Sequence, residues 1–262
     1  MSDAVVYESR GDLGVLTLNR PDNRNSMTPE LLDAFAAASA AARADAGARC
    51  IVITGTGSCF SAGADFKSML QRDDAARPLT PAERSFAMYE PFLSVLDIEV
   101  PVIAACNGHT VGGGFGLSLV CDLRIGALEA RYGANFARLG LHSGMAISYL
   151  LPRIIGVQRA AEMLFTGRLV EGDEAARAGI LLEAMPAADV LPRALELARA
   201  IADSGPTAVR TMKRTFYRGL GWDVRAGAWA EAGPQAASLA TADAAEGIAA
   251  LLEKRTPKFT GR

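Results

Sequence analysis

A run of glycines that follows an apolar segment is the feature that most restricts how this chain can fold. Residues 102–106 are apolar, Asn107 and Gly108 follow, and a triple glycine at 112–114 leads into a second apolar segment, residues 115–120. We predict a buried strand, a tight turn and a buried helix, because a turn without Cβ atoms lets the backbone approach a ligand closely. The free N–H groups at such a helix start favour an anion or a developing oxyanion.

The glycines do not form a known nucleotide-binding motif. The dinucleotide fingerprint G-x-G-x-x-G, started at Gly112, ends at Leu117, and no Gly-Lys-Ser/Thr sequence follows for a phosphate loop. A nucleotide-dependent oxidoreductase is therefore disfavoured. Close packing of a helix against a strand remains an alternative to a ligand site at this point.

A second segment has the same organisation. Residues 51–55 are a β-branched run, and a turn rich in small residues, 56–65, leads from it to Phe66. Two strand-to-helix turns of this kind can aim two backbone N–H groups at one carbonyl oxygen. This is the geometry of an oxyanion hole.

Several segments share an order and spacing that extend along nearly the whole chain. They are Leu18-Asn19-Arg20-Pro21 with Asn25, Phe60-Ser61-Ala62-Gly63-Ala64-Asp65-Phe66-Lys67, Asn107-Gly108 with Gly112-Gly113-Gly114, Cys121-Asp122-Leu123-Arg124-Ile125, and a C-terminal set of Glu246-Gly247-Ile248, Glu253-Lys254-Arg255 and Phe259. Together they resemble the crotonase family, the enoyl-CoA hydratase/isomerase superfamily.

The resemblance implies an α/β fold, a crotonase-like spiral of β-β-α turns with a C-terminal helical region for trimerisation. It implies a core with an acyl-CoA cleft in residues 1–200 and the helical region in residues 201–262, in a homotrimer or a dimer of trimers. Periodicity alone predicts only α/β structure followed by helices.

Local patterns predict particular elements. Residues 5–8 and 15–19 form a β-hairpin, Thr28 and Pro29 begin a helix, and one further helix runs from about residue 81 to residue 96. We predict a mobile loop at residues 72–78. Beyond Pro152 we expect helices, whose apolar stripes are Leu191, Leu195, Ala198 and Ile201, and Val209, Met212, Phe216 and Leu220.

Composition excludes several functional classes. The net charge of −2 and pI of about 5.8 argue against nucleic acid or an anionic membrane as the main partner. No apolar run approaches the roughly 20 residues of a membrane span, and the first ten residues lack a signal pattern. Cys50, Cys59, Cys106 and Cys121 lack the paired spacing of a zinc site, and with two histidines we expect no metal. We expect reduced core thiols in a cytoplasmic protein.

The resemblance implies that the substrate is an acyl-CoA thioester, with coenzyme A as part of the substrate and no separate cofactor. Negative charge moves onto the thioester oxygen as an enolate forms. The family alignment assigns the two stabilising donors to the N–H groups of Ala64 and Gly113. Losing one such donor typically costs about 10²–10³ in rate.

Both glutamates that hydratases of this family use are replaced. The first lies three residues after the oxyanion glycine, and that position is Gly116. The second corresponds to Phe136, which follows Tyr132-Gly133-Ala134-Asn135. Neither side chain can transfer a proton, so the two-glutamate hydration mechanism is not available to this chain.

His142 is the best candidate for an acid/base group, since an unperturbed imidazole titrates near neutral pH. The neighbouring Ser143 and Gly144 align with the catalytic aspartates of naphthoate synthases and aromatic acyl-CoA dehalogenases, and those carboxylates are absent here. The alternative is a packing or solvent-facing histidine.

Other residues are weaker candidates. Glu83 and Glu90 lie in the segment that walls the acyl pocket in relatives, although most helical carboxylates are solvated. We expect structural roles for His109 and Tyr149. Asp65 and Asp122 are interpreted as hydrogen-bonded acids at turns, and Arg210, Lys213, Arg214 and Arg218 as an exposed basic face without function.

The resemblance also assigns contacts to coenzyme A. Arg24 occupies a loop that contacts CoA in relatives, and Lys67 follows the first oxyanion turn near the adenine site. Lys254 and Phe259 match a C-terminal motif that reaches the CoA site, sometimes from a neighbouring subunit. The implied substrate-binding residues are Arg24, Ala62, Asp65, Phe66, Lys67, Gly112, Gly116, Phe136, Lys254 and Phe259. The sequence leaves two functions open, an acyl-CoA enzyme and an acyl-CoA binding protein without catalysis.

Overall fold

Two β-sheets lie at the centre of the molecule. The computed structural model describes residues 4–65 and 79–261. The strands in this part of the chain are β1 (Val5–Arg10), β2 (Leu13–Leu18), β3 (Cys50–Gly55), β4 (Cys59–Ser61), β5 (Val102–Cys106), β6 (His109–Val111), β7 (Leu123–Ala127), β8 (Arg131–Gly133), β9 (Val170–Glu171) and β10 (Glu183–Met185).

The α-helices surround these sheets and fill most of the second half of the chain. They are α1 (Pro29–Ala44), α2 (Pro81–Ala87), α3 (Glu90–Leu93), α4 (Gly113–Val120), α5 (Ile147–Ile155), α6 (Val157–Thr166), α7 (Gly172–Ala178), α8 (Ala187–Ala202), α9 (Pro206–Leu220), α10 (Val224–Leu239) and α11 (Ala242–Glu253). Short 3₁₀ helices occur at Pro21–Asn23, Ser94–Asp97 and Phe136–Leu139.

The chain alternates between the two sheets, which is the spiral that the sequence predicts. One sheet has the order β1-β2-β3-β5-β7-β10 and the other β4-β6-β8-β9. Strands β3, β5 and β7 are parallel neighbours in the first sheet, and β4, β6 and β8, each of which follows one of them, are parallel neighbours in the second. The turns that join the two sheets therefore lie side by side.

The first elements form as predicted. Strands β1 and β2 pair as an antiparallel hairpin, and the turn between them has Gly11 at a φ of +74°, a conformation that favours glycine. Helix α1 begins at Pro29, and the Thr28 hydroxyl caps it by accepting from the N–H of Leu31. The helix buries Phe35 completely.

The interior is built from strands that are apolar on both faces. Strand β5 is buried along its whole length, and every residue of α4 is buried as well. Continuous apolar runs are typical of parallel strands that are covered on both faces. This core holds the glycine turn between β6 and α4 in place.

The predicted single helix over residues 81–96 is interrupted. Helix α2 ends at Ala87, α3 covers Glu90–Leu93, and a 3₁₀ helix takes Ser94–Asp97. Pro91 explains the interruption, because its nitrogen has no hydrogen to donate and its ring conflicts with the carbonyl four residues earlier.

The C-terminal half contains two strands that the sequence did not predict. Strand β10 pairs with β7 in parallel and completes one edge of the large sheet, while β9 pairs with β8. Both are three residues or shorter, so their formation depends on the partner strand rather than on a local pattern.

The apolar stripes of the C-terminal helices also differ from the prediction. Helix α8 buries Val190, Ala194, Ala198 and Ala202, whereas the predicted stripe residues Leu191, Leu195 and Ile201 are only half-buried, so Ala198 alone is common to both sets. Helix α9 has no buried residue, and its stripe residues Met212, Phe216 and Leu220 are exposed.

Two further predictions concern the chain as a whole. Within the described ranges, no helix combines the length and the apolar character needed to cross a membrane. The division at residue 200 stays a prediction, and the loop predicted at residues 72–78 lies outside the described residues.

Candidate active site

The two small-residue turns lie in direct contact. A Cβ atom on Gly63 would lie 2.9 Å from the backbone nitrogen of Gly113 and 2.8 Å from the carbonyl oxygen of Val111. Gly63 has a φ of +81°, so both its conformation and its surroundings require glycine. The contact places the turn that precedes Ala64 next to Gly113 at the start of α4.

The N–H group of Ala64 points away from Met27. The N–H of Met27 donates to the carbonyl oxygen of Gly63 at 2.8 Å, and Met27 and Ala64 form a parallel bridge. In a trans peptide the carbonyl and the N–H point in opposite directions. Because the Gly63 carbonyl points to Met27, the Ala64 N–H is directed to the opposite side.

The N–H group of Gly113 points out of the N-terminal end of α4. The carbonyl oxygen of Gly112 accepts from the N–H of Gly116 at 3.0 Å, so it points along the helix. The same trans geometry directs the Gly113 N–H outwards. The partial positive charge of the helix start adds to its attraction for an anionic oxygen.

Asn25 holds the first turn in shape. The residue is fully buried, and its side-chain oxygen accepts from the N–H of Arg20 at 2.7 Å. Its side-chain nitrogen donates to the carbonyls of Thr56 and Cys59 at 3.0 and 2.9 Å. The Ser61 hydroxyl in turn donates to the Asn25 carbonyl at 2.8 Å. Asn25 thus joins the backbone at Arg20 to strand β4, which leads to Ala64.

The two positions that lack glutamates are closed by apolar packing. Phe136 begins its 3₁₀ helix, is 8% exposed, and places its ring tip 3.8 Å from where a Cβ on Gly112 would lie. Gly116 packs against Met145 so closely that a Cβ on the glycine would overlap the Met145 side chain. The ring of Phe136 therefore lies beside the glycine turn at Gly112, and Met145 fills the space next to Gly116.

His142 is half-buried in the loop between Phe136 and α5. Its backbone N–H donates to the Ser238 hydroxyl at 2.9 Å, and its ring Nδ1 lies 2.7 Å from the carbonyl oxygen of Ser143. A carbonyl oxygen only accepts, so we assign the ring proton to Nδ1. The other nitrogen, Nε2, is then the basic one.

The structure places a buried carboxylate beside this loop, and sequence reasoning missed it. Glu231 of α10 is 3% exposed, and its Oε1 accepts from the N–H of Ser148 at 2.6 Å, from the Ser148 hydroxyl, and from the Ser143 hydroxyl at 3.3 Å. Burial raises the pKa of Glu231, and the hydrogen bonds and the charge of His142 oppose that rise. The available signal was that Glu231 is the only charged residue in the alanine-rich sequence of residues 226–240.

Comparison with known proteins agrees with this fold and with the motifs. A family model described as enoyl-CoA hydratase/isomerase matches residues 8–262. The chain belongs to the enoyl-CoA hydratase/isomerase family. The Bacillus subtilis (strain 168) protein YngF, which carries an enoyl-CoA hydratase/isomerase name, is 34% identical over 265 residues, covering 100% of both chains.

Solved structures of the family have the same fold. The crystal structure of an enoyl-CoA hydratase/isomerase from Pseudoalteromonas atlantica T6c has a TM-score of 0.87 at 28% identity, covering 98% of this chain and 100% of that one. An enoyl-CoA hydratase from Bacillus anthracis has a TM-score of 0.78 at 32% identity, covering 99% and 100%. The crotonase-type fold predicted from the sequence is confirmed.

The other acid/base candidates in this family member are engaged elsewhere. Glu83 forms a capping box with Thr80 at the start of α2, and the exposed Glu90 pairs with Arg225 at 2.9 Å. Tyr149 packs in its helix under the guanidinium of Arg153, 3.7 Å from the ring centroid. His109 accepts from the N–H of Arg131 at 3.1 Å. These contacts correspond to the structural alternatives.

The basic stripe on α9 is not a uniformly exposed face, contrary to the prediction. The ammonium group of Lys213 pairs with Asp122 at 2.8 Å, with both side chains largely buried, and it also donates to the carbonyl of Val100 at 2.9 Å. Asp122 accepts from the N–H of Val102 at 2.7 Å as well. Lys213 therefore fastens α9 to the start of β5, and Asp122 is the structural acid that the sequence predicts.

Arg24, Lys254 and Phe259, which are predicted to contact coenzyme A, lie on the surface. Arg24 is exposed with a φ of 59°, and its carbonyl accepts from the N–H of Ala62 at 3.0 Å, two residues before Ala64. Lys254 ends α11, and Phe259 is 44% exposed in the C-terminal tail. Phe66 and Lys67 lie outside the described residues.

Proposed function

We propose that this member of the enoyl-CoA hydratase/isomerase family is an enzyme that binds an acyl-CoA thioester and stabilises its enolate with two N–H groups. The observation that carries the proposal is the contact between the turns at Gly63 and Gly113. This contact supports a joint role for the N–H groups of Ala64 and Gly113 as donors to one oxygen. Preorganised donors of this kind favour charge that develops on the thioester oxygen.

The reaction we propose is proton transfer at the α-carbon rather than addition of water. Hydration in the family requires two carboxylates, and Gly116 and Phe136 stand in their places. The packing of Met145 and Phe136 leaves apolar groups next to the reacting carbons. His142, with Nε2 as its basic nitrogen, takes the role of the acid/base group.

Coenzyme A enters the proposal as part of the substrate, with no separate cofactor. Arg24 is exposed, and its backbone lies next to Ala62, so that its guanidinium can reach a phosphate of coenzyme A. Lys254 and Phe259 lie on the exposed C-terminal tail, where they can contact coenzyme A of the same or a neighbouring subunit. We assign Lys67 to the same role from its position in the motif.

We also propose that the protein assembles into a homotrimer or a dimer of trimers. The exposed apolar stripe of Met212, Phe216 and Leu220 on α9 supports association, because a helix without buried residues gains from covering such a stripe. Native mass spectrometry would give a mass of three or six chains. A cytoplasmic location is part of the proposal, since the cysteines are buried free thiols.

A non-catalytic acyl-CoA binding protein is the second candidate, and the replaced glutamates favour it. One experiment separates the two. The protein is incubated with butyryl-CoA and crotonyl-CoA in D₂O, mass spectrometry follows deuterium uptake and added water, and calorimetry measures binding. The enzyme reading predicts deuterium uptake without added water. Binding without any uptake would support the binding-protein reading, and rapid hydration would contradict the proposed reaction.

A further inference from the structure

Glu231 is a buried carboxylate for which packing alone gives no reason. Its Oε1 accepts three hydrogen bonds from Ser143 and Ser148, whereas its Oε2 is buried and has no partner within the described residues. A buried polar atom without a partner is uncommon in folded proteins and calls for an explanation. A glutamate kept in this state is a candidate for a function.

Glu231 belongs to a polar stripe on α10 that holds the His142 loop. The stripe consists of Glu231, Gln235 and Ser238, which lie on one face of the helix because their spacing is four and three residues. The side-chain nitrogen of Gln235 donates to the carbonyl of His142 at 3.4 Å, and the hydroxyl of Ser238 accepts from its N–H at 2.9 Å. The stripe therefore fixes the backbone of His142 on both sides.

The loop that the stripe holds has an unfavourable backbone. Met145 and Ala146 have φ values of 61° and 57°, a left-handed conformation that residues other than glycine rarely adopt. Such a conformation persists only where the surrounding structure enforces it. Glu231 binds Ser143 before this segment and Ser148 after it. The carboxylate thus bridges both ends of the strained segment.

We propose that Glu231 is a positioning residue for proton transfer, whose carboxylate holds the His142 loop and stabilises the positive charge that His142 acquires. The inference rests on the proposed function. In the step, the C–H bond at the thioester α-carbon breaks, its electron pair enters the enolate, and the proton forms a new bond to His142 Nε2. Return of the proton to carbon restores the neutral ring. The negative charge of Glu231 favours the intermediate imidazolium, as a carboxylate does beside a catalytic histidine.

The test compares Glu231→Gln with wild type in the deuterium-exchange assay with butyryl-CoA. The amide keeps the shape and can still accept from the N–H of Ser148, but it has no charge. We expect exchange to fall by about 100-fold, the lower end for acid/base effects, with an unchanged dissociation constant for butyryl-CoA. Glu231→Asp restores the charge and recovers part of the rate. The matched control is Glu196→Gln, which removes an exposed carboxylate and leaves the rate unchanged.

The outcomes separate the two proposals. Exchange by the wild type together with a wild-type rate in Glu231→Gln contradicts the role of Glu231 alone. An equal loss of binding and rate also contradicts it, because a positioning residue for proton transfer affects the rate. Absence of exchange in the wild type with bound butyryl-CoA contradicts the proposed function and this inference with it. If Glu231→Gln does not fold, a wild-type rate in Ser143→Ala, which removes a hydroxyl that joins the carboxylate to the His142 loop, is the contradicting result.

Discussion

Gly116 of helix α4 packs directly against Met145, and every residue of this helix is buried. Gly116 is also the position at which the family resemblance places the first hydratase glutamate. The loop conformation at Met145 directs its side chain into the space that a side chain on Gly116 would need. A glutamate at position 116 would therefore meet Met145, so we expect that a single substitution does not create a hydratase site.

Substitution of Gly116 tests this packing. Gly116→Ala places a Cβ on Met145, and overpacking of this kind typically costs about 1–3 kcal/mol of unfolding free energy. The matched control is Gly233→Ala in α10, where the new Cβ has no neighbour within 4 Å and glycine replacement gains about 0.5–1 kcal/mol. Urea unfolding measures both variants. Equal stability changes would show that Met145 moves aside freely.

The two histidines are expected to hold their protons on opposite nitrogens. His142 Nδ1 faces a carbonyl oxygen, so that nitrogen carries the hydrogen, whereas His109 Nδ1 accepts from a backbone N–H and leaves its hydrogen on Nε2. Nitrogen-15 NMR of the neutral rings distinguishes the two forms, and His109→Asn assigns the signals. Two rings with the same tautomer would remove the argument that His142 Nε2 is basic.

The part of the fold that a local pattern specifies was predictable from the sequence. The hairpin of β1 and β2, the cap of Thr28 on α1 and the buried strand β5 each follow from neighbouring residues. The short strand β10 was missed because its formation depends on β7, more than 50 residues earlier in the chain. The face of α8 was predicted only in part, because three of its four buried residues are alanines, which the size of apolar side chains does not single out.

The candidate site also contains both residues that motifs predict and a residue that only tertiary packing brings into place. Motifs place Ala64 and Gly113 in the sequence, and the structure brings their turns together. Glu231 has no motif, and it reaches Ser143 only because α10 packs beside the loop. A contact across 88 residues depends on tertiary packing, which periodicity within one helix does not specify.

The stability of the protein should depend on the ionisation of Glu231. Its folded-state pKa is raised above 4.5, mainly by burial, so the native state favours the protonated form. The resulting contribution to stability is complete below about pH 4.5 and declines by up to about 1.4 kcal/mol per pH unit until the folded-state pKa is passed. The unfolding free energy of Glu231→Gln, measured against wild type, should therefore improve as the pH rises through this window. A difference that is independent of pH contradicts the raised pKa.

Infrared spectroscopy tests the two N–H donors without any substitution. Hydrogen bonds from Ala64 and Gly113, as proposed, would polarise the thioester carbonyl and weaken its C=O bond. Butyryl-CoA labelled with carbon-13 at the carbonyl should therefore absorb at lower wavenumber when bound than when free. The control is the CoA thioether of the same length, which lacks the carbonyl and should bind more weakly. An unshifted band in the bound thioester contradicts the oxyanion assignment.

The most direct test of the account is deuterium exchange by His142→Asn with butyryl-CoA in D₂O. The asparagine amide can still donate to the Ser143 carbonyl, as Nδ1 does, but it has no basic nitrogen in place of Nε2. His109→Asn is the matched control, because an amide oxygen can accept from Arg131 as that ring does. We predict that His142→Asn loses about 10²–10⁴ in exchange rate and keeps its affinity for butyryl-CoA, while His109→Asn keeps both. Exchange at the wild-type rate in His142→Asn would contradict the assignment of His142 as the proton-transferring group.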